Sequence, residues 1–222
     1  ESPMYFLEEI FPGVKIIYQM PGFFSRSPFP ELIKFDIGLL DKASDADGNF
    51  NKDSHVDETL EKLRKKDKGF LQSLNLVEPL ISGVKQKYQG ILLLPLQIDR
   101  YFMVDYILQR RSQFDIVLDL LQKTPPNIGV LVTNYCSGNL RSSVLSEENI
   151  RYLQNKFDNF VYIEKFNTIQ SVSQLLLPYV DGVYTISSSV GYQAAYWGKP
   201  VFALGARNIK EYSTANDIND FI

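Results

Sequence analysis

From residue 90 onward the chain alternates between two rhythms. Short runs that are almost entirely apolar, Gly90–Leu96, Ile128–Thr133, Phe160–Glu164, Gly182–Ile186 and Pro200–Leu204, have the length and β-branched content of strands buried on both faces. Between them, Ser112–Lys123, Glu147–Phe157, Ile169–Leu177 and Val190–Trp197 space their apolar residues three and four apart, as helices do. Strand and helix in strict alternation predict a parallel sheet with helices on its faces. The fold class expected is therefore α/β, a Rossmann-like parallel sheet with flanking helices.

Upstream the pattern is less regular. Val14–Met20 reads as a short strand closed by Pro21-Gly22, and the three prolines of the next segment, Pro21–Pro30, exclude a regular helix there. That segment is either a packed connection or a ligand-facing loop in which Arg26 meets an anion. Residues 44–55 mimic a calcium loop through Asp45, Asp47 and Asn49. The match fails, because Phe50 replaces the required glycine and Val56 the bidentate carboxylate, so the segment reads as a solvated loop. From Asp57 to Lys87 apolar residues recur at helical spacing, and the run Lys62–Lys68 reads as a solvated face. Two regions are expected: 1–56, Pro-rich and polar and open to completing another domain, and 57–222, a Rossmann-like domain.

Composition narrows the function. With 45% hydrophobic and 22% charged residues the chain is neither disordered nor fibrous, and its net charge of −3 gives no overall attraction to nucleic acid or an anionic membrane. A local basic pocket is left open. Cys136 is the single cysteine and His55 the single histidine, which excludes an intrachain disulfide and a Cys/His zinc site. No apolar run approaches the roughly 20 residues of a membrane span. A soluble, cytoplasmic chain is expected, and its ends, Glu1 and Ile222, read as those of a piece of a longer polypeptide.

In open α/β sheets ligands bind beyond the carboxyl ends of the strands. Those positions hold Gln97, Asp99 and Arg100, then Asn134–Asn139, Glu164–Asn167 and Ser187–Ser189. The serine run is the richest, because a strand leads into three hydroxyls and then a helix opening with Gly191, Ala194 and Ala195 on its early turns. Hydroxyls and backbone N–H groups at a helix start suit a phosphate or carboxylate, although an ordinary N-cap needs one serine of the three. Walker, Gly-x-Gly-x-x-Gly and Gly-x-Ser-x-Gly motifs are all missing, and Cys136 lacks a partner base. Any catalysis must then run on carboxylates, tyrosines, amides and cations. Glu164 is a general acid or base or else a solvated strand end, and Arg26 and Arg100 either pair with an anion or form structural ion pairs. Tyr192 and Trp197 read as core.

Several stretches together resemble a known family. Val183–Gly205, Phe23-Phe24-Ser25-Arg26, Leu94-Pro95-Leu96-Gln97, Asp158-Asn159-Phe160-Val161 and Ser173-Gln174-Leu175-Leu176 look like the donor-binding, C-terminal half of GT-B glycosyltransferases, especially the bacterial β-Kdo transferases of capsule and O-antigen synthesis. The resemblance implies a two-domain GT-B protein of which this is a fragment. It implies that Ser187, Ser188 and Ser189 hold the phosphate of a CMP-activated sugar, with Gly191, Gln193, Asn134, Tyr135, Arg26 and Arg100 completing the donor site. Gln97, Asp99 and Glu164 are the catalytic candidates. Two departures stand out. The family's His-Pro pair is replaced by Asn134-Tyr135, and the acid four places after the glutamine by Tyr101, with Asp99 and Asp105 the nearby carboxylates. A divergent donor, a different catalytic geometry and a loss of catalysis all fit those departures.

The function expected is transfer of Kdo or a related acidic sugar from CMP to a glycan or lipid-linked glycan acceptor. No cofactor or essential metal is expected, since the family uses protein charges and a helix start instead. Neither is a nucleic-acid partner, and a peripheral membrane association at the inner face of the membrane would come from other parts of the protein. A non-catalytic nucleotide- or carbohydrate-binding module of a larger assembly protein is the alternative. An epimerase sharing the fold is a third reading, for which the needed carboxylate and histidine set does not assemble.

Overall fold

The computed structural model describes residues 10–21, 33–37, 77–98, 111–137, 140–141, 144–169 and 171–204, with a few single positions besides. Arg26, the polar segment 44–55, Asp99, Arg100, Tyr101 and Asp105 lie outside the described residues. The chain divides into two compact units, Glu1–Leu74 with Ala206–Asn208, and Asn75–Gly205 with Ile209–Ile222.

In the first unit, β1 (Ile17–Pro21) pairs antiparallel with β2 (Ile33–Ile37), from Ile17 opposite Ile37 to Pro21 opposite Ile33. The strand starts later than the expected Val14. A turn over Pro12 and Gly13, whose φ is +83°, is closed by the Val14 N–H donating to Phe11 O, and extended backbone begins only after it. β2 was not anticipated, because its five residues carry Lys34 and Asp36 and follow a proline-rich stretch.

The second unit opens with α1 (Glu78–Lys87) and β3 (Gly90–Pro95). Helical spacing upstream of Glu78 does not continue into this helix. Asn75 adopts a left-handed φ of +44°, and Pro79, which lacks an N–H, sits in the first turn where none is needed. The order continues with α2 (Gln113–Lys123), β4 (Ile128–Thr133), a small hairpin of β5 (Cys136–Ser137) and β6 (Leu140–Arg141), α3 (Glu147–Lys156) and β7 (Phe160–Val161). It ends with α4 (Val172–Leu176), β8 (Gly182–Thr185), α5 (Val190–Tyr196) and β9 (Val201–Ala203).

β7, β4, β3, β8 and β9 lie in that order in one sheet, and every pairing is parallel. The expected α/β Rossmann-like fold is present. Strand side chains alternate between faces, so Leu92, Leu94, Leu96, Val130, Val132, Tyr184 and Ile186 share one face. There they pack with Ile116, Val117, Leu120 and Leu121 of α2 and Leu153 of α3. The odd positions Ile91, Leu93, Leu131 and Val183 are equally buried. α5 contacts β8 and β9, α1 contacts β3, and α4 contacts α5. Right-handed crossovers account for this division, since the chain moves one way from β3 to β7 and the other way from β8 to β9.

Helix limits follow local chemistry. The Ser112 hydroxyl accepts from the Asp115 N–H, and the Asp115 carboxylate accepts from the Ser112 N–H, a reciprocal cap on α2. α5 closes with Gly198 at φ +69°, where the Lys199 N–H reaches Ala194 O and the Gly198 N–H reaches Ala195 O. The expected helix over 169–177 is shorter, because Ser171 adopts a left-handed φ of +56° before it, and the chain tightens to a 3-10 turn at Leu177–Tyr179. Among the described residues no helix is long and apolar enough to cross a membrane.

Candidate functional site

Strand order reverses between β3 and β8. To the β4 side the chain proceeds from β3 through β4 to β7, and to the other side from β8 to β9. Crossover helices on opposite faces splay apart at such a point and leave a crevice beyond the carboxyl ends of the two strands. Leu92 pairs with Gly182 and Leu93 with Val183, and the same register carried forward sets Gln97 level with Ser187. The two meet directly. Gln97 Oε1 accepts from the Ser187 N–H at 3.2 Å and from the Ser187 hydroxyl at 2.9 Å.

Gln97 is itself held from the other side. Gln113, buried at the start of α2, accepts the Gln97 N–H through Oε1 at 2.8 Å and donates Nε2–H to Gln97 O at 2.9 Å. A side-chain amide thus serves the main chain of β3 as another strand would, just where the strand runs out of partners. Leu96 N–H, one residue earlier, still bonds Thr133 O at 2.9 Å. Sequence reasoning missed Gln113. Its only signal was a long amide beside the capping Ser112, at the mouth of the helix that follows β3.

The serine run is structured by its own bonds. The Ser188 N–H donates to Thr185 Oγ1 at 3.0 Å, the Val190 N–H to Ser188 Oγ at 3.3 Å, and the Gly191 N–H to Ser188 O at 3.0 Å. Ser189, in the N-cap position, is exposed and makes no side-chain cap. The amides of Ser187, Ser188, Val190 and Gly191 are therefore already committed, and the cap comes from Ser188. This differs from the array of free N–H groups expected from the sequence. Gly191 is buried within α5.

Other candidates fall at varying depth. Gln193 is interior, only 4% exposed, with Nε2 donating to Gln174 Oε1 of α4 at 3.5 Å. Asn134 and Tyr135 are half-buried directly beyond β4, after Thr133, whose hydroxyl bonds that of Ser173 at 2.8 Å. Tyr192 and Trp197 are half-buried. Glu164 does not end a strand. β7 stops at Val161, and Glu164 is exposed at the head of a 3-10 turn, Glu164–Thr168, that the buried Phe166 draws inward. β7 is also the sheet edge, two strands from β3. The resemblance stretch around Asn159 has a structural task, described below.

The ionisations of Asp115 and Tyr184 are both displaced by their surroundings. The Ser112 N–H, and after it the Ser112 hydroxyl, hold the Asp115 carboxyl below its ordinary range. Burial pushes the Tyr184 phenol up, with Asp119 adding to it, so Tyr184 stays protonated and belongs to the core.

Fold and geometry together define an α/β Rossmann-like domain with a polar crossing of β3 and β8 at its switch point. Comparison with protein-family models, curated proteins and solved structures finds no match for the chain.

Proposed function

We propose that this chain is the donor-binding half of a nucleotide-sugar-dependent glycosyltransferase of the GT-B type, acting in bacterial surface-polysaccharide assembly. Its donor is a CMP-activated acidic sugar of the Kdo kind, and its acceptor a glycan. The observation that carries this reading is the Gln97–Ser187 crossing at the point where strand order reverses, the place where such sheets bind nucleotides. The resemblance of Val183–Gly205 and Leu94–Gln97 to that family bears on the same two strand ends. In this reading Asp99 is the carboxylate that acts at the anomeric carbon, and Arg100 meets the acidic groups of the donor.

The position of Glu164 favours a second reading. An exposed carboxylate in the 3-10 turn beyond the edge strand is a poor partner for chemistry between β3 and β8. Together with Tyr101 in place of the family's acid, it fits a module that binds a nucleotide or carbohydrate without turning it over. Calorimetric titration with CMP, UMP, UDP and GDP, repeated on Ser188→Ala, followed by CMP-Kdo turnover with Asp99→Asn, decides between them. Selective CMP binding with turnover that Asp99→Asn abolishes supports the transferase. CMP binding without turnover supports the module, and binding of none of the four defeats the transferase and leaves the module as a carbohydrate binder.

A further inference from the structure

The two glutamines at the crossing have amide orientations that chemistry dictates. A backbone N–H can only donate, so the Gln97 atom facing the Ser187 N–H must be Oε1. By the same argument Gln113 turns Oε1 to the Gln97 N–H and Nε2 to Gln97 O. Oε1 of Gln97 is thereby spent twice, on the amide and the hydroxyl of Ser187, and its Nε2 is turned to the other side. Among the described residues nothing accepts from that Nε2. Gln97 is half-buried, so the NH2 group is open to a ligand, whereas Gln113 is closed off by its burial.

We infer that Gln113 is a positioning residue that fixes Gln97 as a one-way reader, presenting two N–H donors and no acceptor to whatever occupies the crevice between β3 and β8. The group recognised there is then an oxygen acceptor, and a phosphoryl oxygen fits best. The unspent groups of the serine run also donate: Ser188 Oγ already accepts from Val190, which leaves its proton, and the Ser189 N–H and hydroxyl have no partner among the described residues. This deepens the proposed function, on which it rests for the identity of the phosphoryl compound, CMP, and differs from it in assigning Gln97 to recognition.

The test follows the side-chain NH2 resonances of the intact 15N-labelled chain while CMP, and separately inorganic pyrophosphate, are added. In the free protein the Gln113 NH2 protons exchange slowly and those of Gln97 fast. The reverse order overturns the inference with no variant needed. On titration the Gln97 NH2 resonance moves with both probes, Gln97→Glu weakens binding at least tenfold by turning an acceptor to the phosphoryl oxygen, and Gln113→Ala weakens it about fivefold. Movement with pyrophosphate but not CMP keeps the inference and defeats the nucleotide donor. CMP binding that leaves the Gln97 NH2 unmoved, with Gln97→Glu binding as tightly as the native chain, defeats the inference and keeps the nucleotide reading. No movement with either probe defeats the inference.

Discussion

Asn159 offers the sharpest test of how this sheet is tied to its helices. Its Nδ2 donates to Leu121 O at 3.1 Å and to Thr124 O at 3.0 Å, while its own backbone O accepts the Val130 N–H at 2.8 Å. Leu121 O needs that donor, because four residues on stands Pro125, which has no N–H to complete the helical bond. One asparagine therefore closes the end of α2 and aligns β4 beside β7. Asn159→Ala removes two bonds and leaves two buried carbonyls without donors, a loss of about 2–4 kcal/mol. At about 2–4 °C per kcal/mol for a chain of this size, a 3 kcal/mol loss lowers Tm by about 6–12 °C. Asn159→Asp is worse than alanine at pH 8, since a carboxylate then faces two carbonyls at the negative end of a helix. The introduced carboxyl is favoured in its neutral form by the fold, so its folded pKa is raised. The penalty of Asn159→Asp relative to Asn159→Ala is smallest below about pH 4, the ordinary range of the group, and grows as pH rises through the raised value. Urea midpoints for the native chain and both variants at pH 5 and 8 measure this. A native-like Asn159→Ala, or an Asn159→Asp as stable as Asn159→Ala at pH 8, refutes the reasoning.

Further outcomes follow from other features. Gly198→Ala costs about 1–2 kcal/mol from its left-handed φ alone, since no atom lies within 4 Å of the added Cβ, and thermal unfolding reads it directly. Gly129→Ala is harsher in kind, because its Cβ would meet the Tyr88 ring at 2.8 Å, and loss of the Tyr88 near-ultraviolet signal would report the displacement. Ser112→Ala costs about 1 kcal/mol by removing the reciprocal cap. The depressed Asp115 carboxyl adds a pH signature: its contribution is complete above the ordinary value of 3.8 and is lost as pH falls from there through the lowered folded value, a loss weakened in Ser112→Ala. Transfer activity should survive EDTA, and complete loss restored by Mg²⁺ or Mn²⁺ would defeat the metal-independent mechanism.

The parallel sheet was legible because each of its strands, β3, β4, β7, β8 and β9, is short and almost purely apolar, and each helix between them is amphipathic. Limits were harder to read wherever a single backbone conformation decides them, as at Asn75, Ser171 and the turn before β1. Glu164 was misplaced for a related reason. An edge strand needs few pairs, and Phe166 draws the chain into a 3-10 turn that begins three residues past Val161. The crevice itself could be anticipated from the strand rhythm, and Gln97 and Ser187 with it. Gln113 could not, because its role depends on where β3 loses its neighbour, a relation between residues 16 apart that no local pattern encodes.

The placement of β3 also governs how the chain is made. Its partner on one side, β4, follows within 40 residues, but Leu92 must wait for Gly182, 90 positions later. At about 5–20 residues per second a ribosome needs about 5–18 s to supply it. During that interval the three strands β3, β4 and β7 can assemble while Ile91–Leu94, the most apolar strand of the sheet, shows a bare hydrogen-bonding edge. Such an edge recruits any extended segment that meets it. The nascent chain thus passes through a sticky half-sheet, and every copy truncated before β8 remains there.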